Sequence, residues 1–311
     1  MNLETKWLED FLALAELRNF SRAADFRNIT QPAFGRRIRS LEQAVGFELV
    51  DRGTVPIKLT PEGRLFRTTA RNLLRQMEEG LGQLQGVVSG QAIDFAAAHS
   101  LSVTLLPELI EQVSKDGQLL QTRVESIDVD LAVEALQEGN CDFLLAFNVE
   151  ALMQPPFEYL RLGMTRLLPI CLPDDRGKPM FPDTGPDTVP LLRYSPNAFM
   201  GRKVNSLLSA SDVPVLFQTV MESSLTNLLK EMALKGKGVA WLPDYSVQDE
   251  LKSGQLVPYS ERADWTGSIE ILLYRNTVRL HDRAERLWAE LSQRCESGWQ
   301  LMETVYSRSG C

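Results

Sequence analysis

One segment, FSRAADFRNITQPAFGRRIRSLEQ (20–43), limits the possible folds of this chain more than any other part of the sequence. Ser21 is a good N-cap residue for a short helix of small and apolar side chains. After a polar turn, Thr30 is placed to cap a second helix with Gln31 and Pro32 in its first turn, where proline is tolerated. The pattern predicts a helix-turn-helix, a motif that inserts its second helix into the major groove of DNA.

The second helix is predicted to have a buried stripe and a basic face. Ile38, Leu41 and Val45 recur at spacings of three and four, which is typical of a helix face inside a domain. A glutamine amide can read adenine, and arginines anchor a helix to phosphates. The three arginines of this helix cannot all point the same way, so pairing of one with Glu42 is the alternative to a phosphate contact. We predict that DNA is contacted by Ser21, Thr30, Gln31, Pro32, Gly35, Arg36, Arg37, Arg39, Arg52 and Lys58.

The charge of the whole chain argues at first against DNA binding, because the formal net charge is -8. Residues 18–75 nevertheless hold twelve Lys or Arg against five Asp or Glu, an excess of seven positive charges. The rest of the chain therefore carries a net charge of -15. This asymmetry predicts a small DNA-binding module joined to a larger acidic domain with a different task.

Further elements are predicted on both sides of the motif. An apolar stripe predicts a first helix behind it, with Trp7, Phe11, Leu14 and Leu17 facing inwards. The segment 47–59 contains glycine and proline in its middle and is predicted to form a hairpin, which corresponds to the wing of a winged helix-turn-helix.

A long amphipathic helix is predicted from Thr60 to about Gln85. Its apolar stripe comprises Phe66, Leu73, Leu74, Met77, Leu81 and Leu84. We predict that this helix forms a dimer interface, because a helix-turn-helix gains affinity and specificity by binding two half-sites. The alternative is that it completes the core of the small domain. The segment 86–90, GVVSG, is predicted to be a linker.

Beyond this linker, strands and helices alternate, which predicts an α/β domain with parallel strands. The predicted elements lie at 93–98, 100–113, 121–127, 130–138, 141–147, 167–171, 191–194, 199–208, 216–219, 223–235, 239–242, 269–274 and 279–295. The last two elements are predicted to return to the first of two lobes. Two such lobes enclose a cleft, where folds of this kind bind small ligands.

Several classes of protein are disfavoured by the sequence. Neither a run of 18 apolar residues nor a signal peptide is present, so we expect a cytoplasmic protein that is associated with the nucleoid and has no membrane contact. Four scattered cysteines and two histidines predict neither a metal site nor a cofactor. We predict no enzymatic activity, because no nucleophile elbow or His-based pair is evident. His99 is interpreted as a structural histidine, and an enzyme acting in the cleft is the least favoured alternative.

The chain resembles a LysR-type transcriptional regulator, and the motif FSRAADFRNITQPAFGRRIRSLEQAVGFELVDR carries this resemblance. It implies an N-terminal all-α winged helix-turn-helix, a linker helix for dimerisation, and a C-terminal two-lobed α/β effector domain of periplasmic-binding-protein type. The implied boundaries are 1–60, 61–90 and 91–311, with lobe one at about 91–163 and 268–311 and lobe two at about 164–267. The implied partners are double-stranded promoter DNA, a small effector or oxidant, RNA polymerase, and further copies of the chain in a homotetramer built as a dimer of dimers.

Two positions depart from that family pattern. Gly35 stands where the family commonly has serine, which removes a phosphate or base contact and costs roughly 1 kcal/mol of helix propensity. Val55 occupies a wing-tip position that is often basic in relatives, so a minor-groove arginine contact is not expected here.

Four segments of the effector half resemble the hypochlorite-responsive branch of the family: AAAHSLS, ESIDVD, RYSPNAFMGR and GVAWLPDYS. This resemblance implies that Met200 is the sensing methionine, whereas Val113 and Leu225 stand where the branch has two further methionines. A thioether is a suitable detector, because oxidation turns a flexible apolar group into a polar sulfoxide. The competing interpretation is that Met200 only fills the core.

Reversible binding of a small organic anion or amino acid in the cleft is the alternative. Serines and Asn197 lie near the starts of two predicted helices, where amide donors and helix dipoles favour an anion. A thiol switch is disfavoured, because residues 200–209 contain no cysteine. The predicted effector-binding residues are Ser100, Leu101, Ser102, Asn148, Ser195, Asn197, Met200, Thr219, Glu222 and Ser223.

Overall fold

The structure of the chain, a computed structural model, describes residues 3–84, 92–114, 120–182, 188–210 and 215–302. The linker predicted at 86–90 lies outside these residues. The N-terminal elements in chain order are α1 (Thr5–Leu17), α2 (Phe20–Phe26), α3 (Gln31–Val45), β1 (Val50–Asp51), β2 (Lys58–Leu59) and α4 (Pro61–Leu84). Strands β1 and β2 pair antiparallel. These elements confirm the predicted winged helix-turn-helix and the long helix after it.

The core of the winged helix-turn-helix forms where the apolar stripes of α1 and α3 meet. Phe11 of α1 and Phe34, Ile38 and Leu41 of α3 are completely buried. Thr30 is the N-cap residue of α3, as predicted, although its side chain makes no capping hydrogen bond within the described residues. Burial of the α3 stripe leaves the opposite face of this helix to solvent.

The prediction that Ser21 caps α2 is wrong. The N-cap residue is Asn19, whose side chain accepts a hydrogen bond from the backbone N–H of Arg22 at 3.0 Å. Both residue types are good caps, and the helix begins at the earlier of the two. Ser21 lies in the first turn instead, where its hydroxyl donates to Oε1 of Gln31 at 3.0 Å.

The C-terminal part contains a nine-stranded sheet in the order β4-β3-β5-β11-β6-β9-β7-β8, with β10 paired to β6. Helices pack against this sheet, and none of the described helices is long and apolar enough to cross a membrane. The elements in chain order are β3 (Ile93–Ala98), α5 (His99–Val113), β4 (Thr122–Ile127), α6 (Val129–Gln137), β5 (Phe143–Phe147), β6 (Phe157–Cys171), β7 (Thr188–Tyr194), α7 (Phe199–Ser209), β8 (Leu216–Ser223), α8 (Thr226–Leu234), β9 (Val239–Pro243), α9 (Gln248–Ser253), β10 (Val257–Pro258), β11 (Gly267–Asn276) and α10 (Asp282–Glu296).

The prediction of parallel strands holds for three strands of each lobe and fails for β6 and β11, the two strands that cross between the lobes. Strand β3 is parallel to β4 and β5 in lobe one, and β7 is parallel to β8 and β9 in lobe two. Strands β6 and β11 are antiparallel to each other, and each is antiparallel to its other neighbour, β9 or β5. The predicted strand at 167–171 is only the end of β6, which has 15 residues. Strand β6 carries the chain from lobe one to lobe two, and β11 brings it back.

A buried cluster of charged groups joins α4 to lobe one. The carboxylate of Asp142, which is completely buried, accepts hydrogen bonds from Arg71 at 3.0 Å and from Arg75 at 3.3 Å. The backbone N–H of Asp94 also donates to it at 2.9 Å, and His281 lies 3.2 Å away. Burial by itself would raise the pKa of Asp142, but the contact with His281 and the two arginines lower it. The carboxylate is therefore held ionised.

Two helical glycines provide a test of the close packing in the N-terminal domain. A Cβ atom on Gly63 in α4 would lie 2.0 Å from the carbonyl oxygen of Leu49, whereas a Cβ on Gly35 in α3 would meet no heavy atom within 4 Å. We expect Gly63→Ala to destabilise the protein by about 1–3 kcal/mol through overpacking. We expect Gly35→Ala to stabilise it by up to about 1 kcal/mol through helix propensity. Calorimetric unfolding of both variants checks this, and equal effects would contradict the packing described here.

Candidate functional site

The exposed face of α3 carries half of the ten predicted DNA contacts. Residues of this face and of the wing surround one shallow depression, whose lining comprises Phe20, Gln31, Pro32, Gly35, Arg36, Arg39 and Arg52. Arg36 and Arg39 form no ion pair with any of the described residues, so their guanidinium groups are available to phosphates. The contact of Ser21 with Oε1 of Gln31 leaves the amide nitrogen of that glutamine free to donate to a base edge.

Arg37 is placed differently from the other two arginines of α3. Its Nη1 donates to the completely buried carboxylate of Asp10 at 3.1 Å, and Nε of Arg27 donates to the same carboxylate at 2.8 Å. A buried carboxylate needs such partners, because an unpaired charge there is strongly destabilising. Arg37, predicted to contact DNA, thus makes an internal contact that holds α3 against α1.

The wing contributes two predicted basic residues in different ways. Arg52 pairs with Glu42 at 2.6 Å, so the partner of this carboxylate comes from the wing and not from α3 as predicted. Glu42 also accepts from the backbone N–H of Leu49 at 3.0 Å and thereby holds the base of the wing. Lys58 lines a groove between the wing and α6 and lies apart from the depression on α3.

A cavity of about 350 Å³ lies between the two lobes of the C-terminal domain. The structure brings four of the predicted effector-binding residues together in its wall, namely Ser100, Ser195, Asn197 and Met200. The other lining residues are Ala98, His99, Ile127, Asp128, Val129, Asp130, Leu131, Phe147, Ala198, Phe199, Ser224 and Thr226. The cavity is thus where the sequence motifs place it, but much of its wall was not predicted.

The remaining six predicted residues are not part of the cavity lining: Leu101, Ser102, Asn148, Thr219, Glu222 and Ser223. Leu101 is completely buried in the core, and the Ser102 hydroxyl donates to the carbonyl oxygen of His99 at 2.9 Å. Thr219 and Glu222 lie exposed on β8, which is the edge strand of the sheet. Strand and helix registers decide which side chains point into a cleft, and they place these six outside the cavity wall.

Four helices begin at the wall of this cavity. The lining includes the N-cap residues of α5, α6 and α7, which are Ala98, Asp128 and Ala198, and the two residues on either side of the N-cap of α8. None of these four helices has a side-chain capping hydrogen bond among the described residues. Their first backbone N–H groups and dipoles therefore favour an anionic or polar ligand.

His99, interpreted from the sequence as a structural histidine, is part of the polar wall of the cavity. It is the first residue of α5, its side chain is 38% exposed, and Nδ1 lies 2.7 Å from Oγ of Ser126. Its Nε2 lies 3.7 Å from Oδ1 of Asp128. Among the residues that the structure describes, no group of three His, Cys, Asp or Glu is arranged to hold a metal ion.

Two tyrosines fix polar groups beside the cavity. The hydroxyl of Tyr245 donates to Oγ of Ser100 at 2.7 Å, and that of Tyr194 donates to Oγ1 of Thr226 at 2.9 Å. Burial raises the pKa of both tyrosines well above the usual range, so both hydroxyl groups remain donors. The orientation of the Ser100 and Thr226 side chains in the wall is thereby set.

Contacts across the cavity join the two lobes. Arg202 of α7 forms a two-pronged ion pair with Asp130 of α6, with distances of 2.8 and 3.0 Å. The ring of Phe147 at the end of β5 stacks on that of Phe199, with 5.1 Å between the ring centroids. Neither lobe can move relative to the other without changing these contacts.

Met200 lies in the first turn of α7 and is 6% exposed. The helix approaches the preceding loop so closely that a Cβ on Gly201 would lie 2.1 Å from the carbonyl oxygen of Ser195. Glycine at position 201 therefore allows the start of α7, and with it the thioether of Met200, to pack against the cavity wall.

Comparison with known proteins agrees with both parts of this architecture. The bacterial regulatory helix-turn-helix protein profile of the lysR family matches residues 5–64, and the LysR substrate binding domain profile matches residues 89–296. The HTH-type transcriptional regulator YjiE of Escherichia coli (strain K12) is 44% identical over 294 residues, which are 94% of this chain and 95% of YjiE.

Two solved structures are similar over nearly the whole chain. Vibrio fischeri DarR in complex with DNA is 43% identical, with a TM-score of 0.60 over 94% of this chain and 99% of that one. Full-length HypT from Salmonella typhimurium, described as a hypochlorite-specific LysR-type transcriptional regulator, is 41% identical, with a TM-score of 0.61 over 95% and 99% of the two chains. The chain therefore belongs to the LysR family of transcriptional regulators and combines a DNA-binding helix-turn-helix with an effector-binding domain.

Proposed function

We propose that this regulator reads promoter DNA through the exposed face of α3 and responds to hypochlorite through oxidation of Met200. The observation that carries the proposal is the position of Met200, whose side chain lies in the wall of the cavity between the lobes. Similarity to the hypochlorite-specific regulator HypT over nearly the whole chain supports the same oxidant. No catalytic role is proposed for any residue of the cavity.

The chemistry of the proposed step is the transfer of one oxygen atom. The Met200 sulfur attacks the oxygen of hypochlorous acid, a sulfur–oxygen bond forms, and chloride leaves with both electrons of the oxygen–chlorine bond, after which the hydroxyl proton is lost to water. The product is a sulfoxide, whose polar oxygen requires hydrogen-bond donors in a nearly buried position. The N–H groups at the start of α7, which has no side-chain cap among the described residues, are one class of donor on the same helix.

A second candidate is reversible binding of a small organic anion or amino acid in the same cavity. The four uncapped helix N-termini favour it, since they supply donors and positive dipole ends for a carboxylate. Asp128, whose side chain is 55% exposed, would attract an ammonium group and thus favours an amino acid over a simple anion. The regulatory domain of HypT from Salmonella typhimurium has been solved with a bromide ion bound, which supports anion binding in this class of domain.

We further propose that the chain works as a homo-oligomer, with a dimer of dimers as the expected form and RNA polymerase as a further partner. One face of α4 supports self-association, because Leu65, Leu73, Met77 and Leu81 follow one another at multiples of four residues and are 39–56% exposed. Phe66 and Leu74 of the predicted stripe instead pack against the core of the winged helix-turn-helix. An exposed apolar stripe of this kind is typical of a helix that pairs with another copy.

The DNA interface is tested with two substitutions on α3. Gln31→Ala should reduce the preference for the promoter sequence over unrelated DNA, because an amide that reads a base edge is lost. Arg36→Ala should weaken binding to all sequences alike and lower the dependence on salt by about one ion, because a phosphate contact is lost. Fluorescence anisotropy at several salt concentrations measures both. Arg176→Ala, which removes an exposed arginine from lobe two, is the charge-matched control, and unchanged affinity and preference in Gln31→Ala would refute the assignment.

The oxidant sensor is tested by comparing two methionines. Stoichiometric hypochlorite should change promoter affinity or footprint in the wild type and in Met180→Leu, and should have no effect in Met200→Leu. Met180 is the matched control, because its side chain is 50% exposed and is more accessible to the oxidant than Met200. Met200→Gln should reproduce the oxidised state without oxidant. If Met200→Leu responds like the wild type, the oxidant role is lost, and carboxylates and amino acids are then screened as ligands by thermal shift.

A further inference from the structure

Helix α6 contacts both the effector cavity and the DNA-binding domain. At its N-terminal end, residues 128–131 line the cavity between the lobes. At its C-terminal end, Glu134 and Glu138 reach Arg18 at the end of α1. The helix has nine residues, so its two ends are only about 13 Å apart. One short element thus separates the ligand cavity from the domain that binds DNA.

The cavity end of α6 is tied to lobe two by an ion pair. Asp130 and Arg202 form the two-pronged contact described above, and Arg202 also donates to the carbonyl oxygen of Asn197 in the cavity wall. Their side chains are 58% and 50% exposed. A pair of this exposure adds little to stability, so a ligand or an oxidised side chain in the cavity can shift it at low cost.

The other end of α6 is tied to the winged helix-turn-helix. Nη2 of Arg18 donates to Oε1 of Glu134 at 2.8 Å and to Glu138, and Nη1 of Arg67 in α4 donates to Glu138 at 3.0 Å. Arg18 has a left-handed backbone (φ 48°), and its carbonyl oxygen accepts the N–H of Ile57 in the wing at 3.1 Å. The backbone of Arg18 is therefore part of the wing support, and its side chain is held by α6.

Between its ends, α6 is packed as a rigid body. Ala132 and Leu136 are 0% and 1% exposed, and they belong to a cluster with buried side chains of β3 and β5, among them Ala96 and Leu144. Closely packed interiors transmit displacement because they have no free volume to absorb it. A shift at Asp130 is therefore passed to Glu134 and Glu138.

We propose that α6 is the element through which the effector cavity acts on the wing. The Asp130–Arg202 pair senses the relative position of the lobes, and the contacts of Arg18 with Glu134 and Glu138 pass the change to the end of α1 and to the wing. This inference rests on the proposed function of the chain as an effector-controlled DNA-binding protein. It assigns positioning roles to five charged residues, of which only Asp130 lines the cavity.

A double-mutant cycle on the full-length protein tests the proposal without knowledge of the effector. The cycle compares wild type, Arg202→Gln, the pair Glu134→Gln with Glu138→Gln, and all three changes together. We expect Arg202→Gln to alter promoter affinity, and we expect this change to disappear when the glutamates are absent. The coupling should be about two- to tenfold in affinity, which is typical of residues in one network. Arg161→Gln is the matched control, because it breaks an exposed ion pair with Glu270 that involves neither α6 nor α7.

The outcomes separate this inference from the proposed function. If the wild type binds promoter DNA and the effects of Arg202→Gln and of the two glutamate changes on affinity are additive, the role of α6 is overturned. The proposed function as a DNA-binding regulator is then unaffected. If the wild type binds no promoter fragment at all, the proposed function fails and the inference fails with it. Asp130→Arg and Arg202→Asp should each change promoter affinity when made alone. The double variant, in which the two charges are exchanged, should have the wild-type affinity.

Hydrogen exchange gives a second measurement that needs no variant. Coupling between two sites is reciprocal, so binding of promoter DNA to the wild type should change amide exchange within Val129–Gln137. Helix α9 serves as the internal control, because none of its residues lines the cavity between the lobes or the groove beside the wing. Unchanged exchange in α6, with exchange in α3 slowed by DNA, would overturn the proposal.

Discussion

The arrangement of the whole chain depends on one buried carboxylate, that of Asp142. It stands at the start of β5 and receives two arginines from α4 and His281 from the start of α10. Because it has no exposure to water, loss of one partner would leave a buried charge uncompensated, which typically costs about 3–5 kcal/mol. The same pairing fixes α4 to lobe one, so the position of the winged helix-turn-helix relative to the cavity follows from it.

The elements that could be predicted from the sequence are those specified by neighbouring residues. The apolar spacing in α3 and the proline in its first turn are local signals, and so are the boundaries of β3 and α5. The antiparallel pairing of β6 with β11 was not predictable in this way, because Phe157 meets Asn276 more than a hundred residues along the chain. The N-cap of α2 was predicted wrongly although its signals are local. Asn19 and Ser21 are both suitable N-cap residues, and the packing of the helix determines which of them is used.

The residues of the cavity between the lobes also differ in how far they could be predicted from local sequence. Met200 and Ser195 followed from a motif, whereas Asp130 and Arg202 meet only after both lobes have folded, although each lies within a segment that carries the family resemblance. The count of basic residues also overstated the surface that faces DNA. Seven of the twelve form ion pairs inside the protein, namely Arg18, Arg27, Arg37, Arg52, Arg67, Arg71 and Arg75. A count of charged residues in the sequence does not show which of them form ion pairs within the folded protein.

The continuity of the nine-stranded sheet has a consequence for how the effector domain can respond. Strands β6 and β11 run through both lobes as hydrogen-bonded neighbours. The lobes therefore cannot open about a hinge without breaking backbone hydrogen bonds between these strands, each worth about 0.5–1.5 kcal/mol. The accessible motion is a torsion of the central strands. In a protein built in this way, a ligand between the lobes would be registered as a small change of the angle between them.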